Sequence, residues 1–260
     1  YGIDEPLEFH CLGDMPGRAG LGGSSAFVVG LLHALRALRP DLDRGRAVDA
    51  WTLATHAIRL EREVIRETVG VQDQLFAVFG GLKFMEFAGG AHYRIQTLHL
   101  PTERLRQLEA SLALVYSGAM RDAHLMAAAQ VAAIPRNGTL LEELKTLAWD
   151  GRATLEGLGS LDDLGWLLDA SWRLKRALAS EVSSPAIDAL YHQGLAAGAT
   201  GGKLLGAGGG GFLLFWVPET AGGLPEFRRR LGLPCLAIRV SPTGSRVIID
   251  EPTTDERILT

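Results

Sequence analysis

Three stretches of this sequence combine residue types and spacings that could do chemistry. They are "GLGGSSAF" (Gly20 to Phe27), a glutamate and an aspartate twelve residues apart (Glu61 and Asp73), and "GGKLLGAGGGGF" (Gly201 to Phe212). A glycine loop that runs into a helix leaves backbone N–H groups without intrahelical partners, and the helix dipole adds partial positive charge at the same end. Phosphate binds well there, because glycines let the backbone close on the anion and serine hydroxyls can hold its oxygens or a divalent cation. The alternative for Gly20–Ser25 is a tight turn with Ser24 or Ser25 as helix N-cap. The stretch is not a Walker A loop, since no lysine follows its last glycine. Nor is it a dinucleotide fingerprint, since no acidic residue follows a second strand at the right distance.

Glu61 stands out by its place on a helix. The period predicts a helix over 47–67, and at about 100° per residue Trp51, Leu53, Ala54, Ala57, Ile58, Leu60, Val64 and Ile65 share one half of it. Thr52, Thr55, His56, Arg59, Arg62, Glu63, Arg66 and Glu67 take the other, and Glu61 falls near the middle of the apolar half. A carboxylate aimed at a core needs a partner or it neutralises. Either a buried arginine or backbone N–H meets it, or it holds a divalent cation such as Mg²⁺, which takes few protein carboxylates and completes its shell with water and phosphate oxygens. Asp73, in "GVQDQ", could accept or orient a substrate hydroxyl, or could be a turn residue. Phosphoryl transfer wants both a metal ligand and a group that aims the nucleophile. In the third stretch, four consecutive glycines lose much conformational freedom on folding. Close backbone approach to a ligand or to another loop would justify them, and a glycine-rich hairpin is the alternative.

The elements that must position these residues read as α+β. Residues 6–13 alternate like a strand, and 24–39 read as a largely buried helix ended by Pro40. Residues 69–74 read as a loop, and 82–87 and 94–100 as a hairpin. Residues 111–118 read as a buried strand, and about 120–197 as mostly helical, with breaks near Gly138, Gly159 and Pro185. A glycine loop then leads into a strand over 212–217, a short helix over 225–231 and closing strands in "CLAIRV" and "SRVIID". Strands, then helices, then strands give an α+β pattern rather than the strict alternation of a doubly wound sheet.

Composition sets the outer bounds. The chain has 260 residues, 47% of them hydrophobic and 32 of them glycine, with a net charge of −4. That suits one large domain or two modest ones with a real core, and excludes a disordered chain. The longest basic run is Arg228–Arg230, so nothing points to nucleic acid. Apolar runs are too short to span a bilayer. Cys11 and Cys235 have no motif spacing and fit a reducing compartment. With no leader-like segment, a soluble cytoplasmic protein is the expectation.

Taken together, "GLGGSSA" resembles the second signature of the GHMP small-molecule kinases and "GAGGGGF" their third, in the family's order and spacing. "LEREVIRETVGVQD" is similar to the family segment in which a glutamate binds Mg²⁺ and an aspartate serves as base. "GVQDQLFAVFGGLKFMEF", "LALVYSGAMR" and "WRLKRALASEVSSPAIDALY" resemble its sugar-1-kinase branch, most of all the heptose 7-phosphate kinases and more loosely L-fucokinase. The resemblance runs over nearly the whole chain. It implies a two-domain fold with an ATP- and Mg²⁺-binding domain over 1–110 and a ferredoxin-like domain over 111–260. It implies phosphate binding by Gly20, Leu21, Gly22, Gly23, Ser24 and Ser25, Mg²⁺ on Ser25 and Glu61, and Asp73 as the base. Glu63 competes for the metal, but the helical wheel places it on the polar face, so wheel and resemblance select Glu61 independently.

Gln72, Arg121, Lys175, Gly208, Gly209 and Gly210 fall at substrate or active-site-loop positions, and Lys175 and Arg176 could otherwise form a solvated helix face. Arg18, where the family has another residue before "GLG", either meets phosphate or points to solvent. The family's first signature and the N-terminal strands around it are not in this sequence. On that comparison the chain is a fragment or is split from a partner segment, with a missing N-terminal segment or a homodimer partner as its implied partners beside a small sugar or sugar phosphate. The implied activity is transfer to the anomeric hydroxyl of heptose 7-phosphate. A fucokinase-like activity on an unphosphorylated sugar and a non-catalytic nucleotide or sugar sensor are the alternatives, and a diphosphate decarboxylase of the same family fits "GVQDQ" poorly.

Overall fold

A computed structural model describes residues 1–15, 17, 19–43, 47–89, 92–119 and 123–248. The first half holds helices α1 (Gly23–Ala37), α2 (Ala50–Arg59) and α3 (Gln72–Phe79), a hairpin of β1 (Lys83–Phe87) and β2 (Tyr93–Thr97), and α4 (Thr102–Ser111). Then come β3 (Leu112–Tyr116), α5 (Ala123–Ala133), α6 (Gly138–Glu156), α7 (Asp163–Leu178), α8 (Pro185–Ala196), β4 (Gly201–Leu204), β5 (Phe212–Trp216), α9 (Gly223–Leu231) and β6 (Cys235–Ala237).

Helices α1, α2 and α3 bury their apolar faces on one another through Val29, Leu32, Leu53, Ala57, Leu75 and Val78. Each side chain of Val or Leu size fully removed from water contributes about 1.5–3 kcal/mol before the entropy of ordering is set against it. Helix α2 starts where Asp49 accepts from the Thr52 N–H at 2.9 Å, an N-cap that satisfies one orphan donor. The α-helix does not run on to residue 67. It widens into a π-helical turn over Leu60–Ile65 and stops at Arg66, which is left-handed at φ 64°. The extra residue in that turn shifts the helical phase, so Val64 and Ile65 are exposed although the wheel assigned them to the apolar half.

The second half is built on an antiparallel sheet in the order β4-β5-β3-β6. Helices lie between its first and second and between its third and fourth strands in chain order, the split β-α-β pattern. Trp172, Tyr191, Leu213, Phe215 and Phe227 pack its core. Strand β4 was not expected from its sequence, "GGKL". Its glycines let α7 lie on it: a Cβ on Gly201 would come within 1.8 Å of the Gly165 carbonyl oxygen. The chain is thus α+β, with the small β1–β2 hairpin separate from the larger sheet.

Two expected strands are not strands. Residues 6–13 have no regular structure, and Leu7, Phe9 and Leu12 stand exposed. An alternating pattern forms a strand only where a neighbouring strand satisfies its backbone. Residues 245–248 are likewise irregular. They are held instead by the Ser245 N–H on the Ala77 carbonyl at 2.8 Å and by Ser245 Oγ 2.9 Å from His33 Nδ1.

Candidate active site

The site begins at the N-terminus of α1. Gly20 and Gly22 adopt positive φ, 74° and 72°, a region that glycine enters without a Cβ penalty. Gly22 is the N-cap of α1, so Ser24 and Ser25 are not caps but sit inside the first helical turn. No described side chain caps that turn, which leaves its N–H groups directed outward beside Gly22. Ser24 is exposed, whereas Ser25 is 4% exposed and turns inward.

Under Ser25 lies Glu61, only 1% exposed. Ser25 Oγ is 3.0 Å from each of its carboxylate oxygens, and Gln74 Nε2 donates to Oε2. The partners of this buried carboxylate are therefore a hydroxyl and an amide, not the arginine or backbone N–H weighed from the sequence. Burial pushes the Glu61 carboxyl above its ordinary range, while the hydrogen bonds from Gln74 and Ser25 pull it back. Gln74 is itself buried, and its Oε1 has no protein partner.

Asp73 approaches the same helix end from the other side. The expected loop over 69–74 gives way to α3 at Gln72, which sets Asp73 in the first turn of that helix. Its carboxyl packs against Gly22: a Cβ on Gly22 would lie 3.2 Å from Asp73 Cγ and 3.3 Å from Oδ2. Any side chain at position 22 would crowd that carboxyl. Partial desolvation raises the Asp73 pKa. Gln72, at the start of α3, is exposed.

The second glycine loop closes on the first. A Cβ on Gly206 would meet Gly20 Cα at 2.8 Å, and one on Gly211 would meet the Ala19 carbonyl oxygen at 2.4 Å. Gly208, Gly209 and Gly210 face the other way: Gly209 N–H donates to the Val182 carbonyl at 2.8 Å, and Cβ atoms on Gly208 and Gly210 would strike Val182 and Ala119. Lys175 of α7 donates to the carbonyls of Leu204 at 3.1 Å and Gly206 at 2.6 Å. Arg176 instead pairs with Asp188 at 3.3 Å and lies over the Trp172 ring. Arg18 and Arg121 lie outside the described residues.

The structure thus gathers Gly20–Ser25, Glu61 and Asp73 at one helix end and sets the Gly206–Gly211 loop behind it. The oxygen donors of Ser25 and Glu61 suit Mg²⁺, a hard cation that keeps most of its shell for water and phosphate. Among the described residues no group of three or more His, Cys, Asp or Glu gathers as a metal cluster.

This architecture is that of a small-molecule kinase family. Residues 1–81 match the GHMP kinases N terminal domain and residues 140–231 match the GHMP kinases C terminal model; the chain belongs to the GHMP kinases. It is 32% identical over 220 residues to a D-glycero-alpha-D-manno-heptose 7-phosphate kinase of Campylobacter jejuni, a match that covers 83% of this chain and 63% of that protein. It is 29% identical over 167 residues to a bifunctional fucokinase/GDP-fucose pyrophosphorylase of Arabidopsis thaliana, covering 62% of this chain and 16% of that one. Among solved structures, a D-glycero-D-manno-heptose 1-phosphate kinase from Bacteroides thetaiotaomicron superposes with a TM-score of 0.65 at 25% identity, covering 89% of this chain and 64% of that one. The chain therefore spans less than two thirds of the length of these relatives.

Proposed function

We propose that this chain carries the phosphate-binding, metal-binding and proton-accepting residues of an ATP-dependent sugar kinase. The acceptor is the anomeric hydroxyl of D-glycero-D-manno-heptose 7-phosphate and the product its 1,7-bisphosphate, a choice supported by the 32% identity to a kinase of that name. In this reading an N-terminal ATP- and Mg²⁺-binding domain spans 1–110 and a C-terminal domain 111–260. One observation carries the reading: the Asp73 carboxyl packs on Gly22, at the same uncapped helix end beneath which Ser25 meets Glu61.

In this reading the ATP phosphates lie over Gly20–Ser25, where the N–H groups of the first turn of α1 hold their oxygens. Ser25 and Glu61 would hold Mg²⁺, which when bound neutralises charge on the phosphate oxygens. Asp73 accepts the proton of the anomeric hydroxyl as its oxygen attacks the γ-phosphorus, and ADP departs with the electrons of the broken P–O bond. The Asp73 carboxyl needs only to be near the hydroxyl and correctly aimed, because catalysis here is mostly positioning and electrostatics. Gln72 and Arg121 remain candidates for the sugar side.

The test is ADP release by the full-length protein over a panel of sugars and sugar phosphates. Turnover is expected with heptose 7-phosphate and weakly or not at all with free hexoses. Preference for fucose would move the substrate to the second branch, and ATP binding without turnover on any sugar would make the protein a sensor.

A further inference from the structure

Two loops that are mostly glycine cannot lock each other by side-chain packing, so their mutual position must be set from outside. The loop after β4 is anchored at several points. Gly209 N–H is held by the Val182 carbonyl and Gly211 N–H by the Ala119 carbonyl. Gln130 Nε2 donates to the Ala207 carbonyl. Its first turn is held by an ionisable side chain: Lys175 Nζ donates to both the Leu204 and Gly206 carbonyls. Gly206 is also the residue whose α-carbon faces Gly20 at a spacing that admits no Cβ.

We propose that Lys175 is a positioning residue for the nucleotide seat: its ammonium ties α7 to the carbonyls of Leu204 and Gly206 and thereby fixes the surface against which Gly20 of the phosphate loop is seated. The inference rests on the kinase reading above. It gives Lys175 a role different from contact with a substrate phosphate, because its donors are directed to main-chain oxygens rather than to an open cleft. Lys175 is half-buried, and it spends donors on two main-chain oxygens rather than leaving them to water. Burial and the nearby Lys203 lower the Lys175 pKa to about 7, and Lys203 is itself held by Ser171 Oγ at 3.0 Å. A solvated surface lysine would show none of this. Carbonyl oxygens are the compensation here, and they belong to the loop that the nucleotide site needs held.

The experiment measures binding of Mg·ADP and of the sugar phosphate separately, by calorimetry on the full-length protein. Lys175→Met, which keeps the length and removes the donors, is expected to weaken Mg·ADP about tenfold, the scale of one charge-assisted hydrogen bond. It should leave sugar-phosphate affinity within twofold and raise the KM for ATP with kcat little changed. Gly206→Ala, which pushes on Gly20 directly, should give the same loss. The double variant should lose less than the product of the two, because both act through one contact. Lys175→Arg, which keeps the donors, should recover at least half of the lost affinity on a logarithmic scale, and it serves as the reporter if Lys175→Met does not fold.

Loss of sugar-phosphate affinity with Mg·ADP unaffected would overturn the clamp in favour of a substrate contact. Equal Mg·ADP affinity in wild type and Lys175→Met would overturn the clamp alone. Absence of Mg·ADP binding in the wild type would overturn the kinase reading and the clamp with it.

Discussion

At the scale of single residues, the site sets two carboxyls at one helix end in different surroundings. Glu61 is buried with a hydroxyl and an amide, and Asp73 is exposed but partly desolvated. Both are raised in pKa, chiefly by desolvation. For Asp73 as base, Asp73→Asn is expected to lower kcat by about 10²–10⁴ while Mg·ADP binding survives. The acid limb of kcat/KM in the wild type should lie above the ordinary carboxylate range; an Asp73→Asn enzyme of full rate would remove the assignment.

For Glu61 the sign runs through stability. Its folded pKa lies above the unfolded one, so the folded state keeps the proton longer, and stability is lost as pH rises from the unfolded pKa through the folded one. At pH 7 in metal-free buffer, Glu61→Gln should therefore raise the melting temperature, by roughly 2–4 °C for each kcal/mol recovered, while activity with Mg²⁺ falls at least a hundredfold. A melting temperature that fell instead would mean that the carboxylate stabilises the fold. Glu61 was legible in the sequence because a charge in an apolar face shows in the periodicity. Gln74 was not, because reading 69–74 as a loop hid which amide faces inward; starting α3 at Gln72 would have turned it toward the core.

Elements explain why the glycines stand where they do. The sequence expectation of close backbone approach in the second glycine loop matches Gly206 on Gly20 and Gly211 on Ala19. Gly211 is at φ 99° with no room for a Cβ, so Gly211→Ala suffers both strain and collision. We expect it to lower unfolding stability by about 2–4 kcal/mol, measured by urea titration, and to weaken Mg·ADP in proportion to how far Ala19 is displaced. A variant that melts like the wild type would mean the loops yield at no cost. Strand β4 escaped the sequence reading for the same reason that it exists. Glycine argues against a strand by propensity, but Gly201 and Gly202 are where α7 and Phe215 come too close for any side chain. The π-turn over Leu60–Ile65 was equally invisible, since a fixed 3.6-residue period cannot register one inserted residue; past it Val64 and Ile65 turn out, while Glu61 stays inward as the regular period places it.

For the molecule as a whole, the larger sheet is well covered on its core side and α1 is not. Phe27, Leu31 and Leu35 of α1, with Tyr1, Ile3, Leu7 and Phe9, line an apolar groove of about 460 Å³. Phe9 and Phe27 are about half exposed. Among the described residues no helix is long and apolar enough to cross a membrane. An apolar patch of this kind on a monomer tends to associate, so the 260 residues produced alone should bind a hydrophobic dye at neutral pH. Phe9→Ser with Phe27→Ser should reduce the signal at least twofold without shifting the melting temperature by more than a degree or two, since half-exposed side chains contribute little. An unchanged signal would place the dye elsewhere. The fold class was legible from element order, and the irregular course of 6–13 was not, because a strand pattern says what a segment would do with a neighbour and not whether one is there.

The contact of Gly20 with Gly206 and of Ala19 with Gly211 joins two loops far apart in the sequence by backbone alone. During translation the first loop leaves the ribosome long before the second. At about 5–20 residues per second, the roughly 190 residues between them take on the order of ten to forty seconds. In the kinase reading proposed above, the emerging chain holds through that interval the helix start of the phosphate site without the wall behind it. Nucleotide capture by ribosome-bound chains would therefore date the arrival of residue 211 and serve as a clock for the completion of folding.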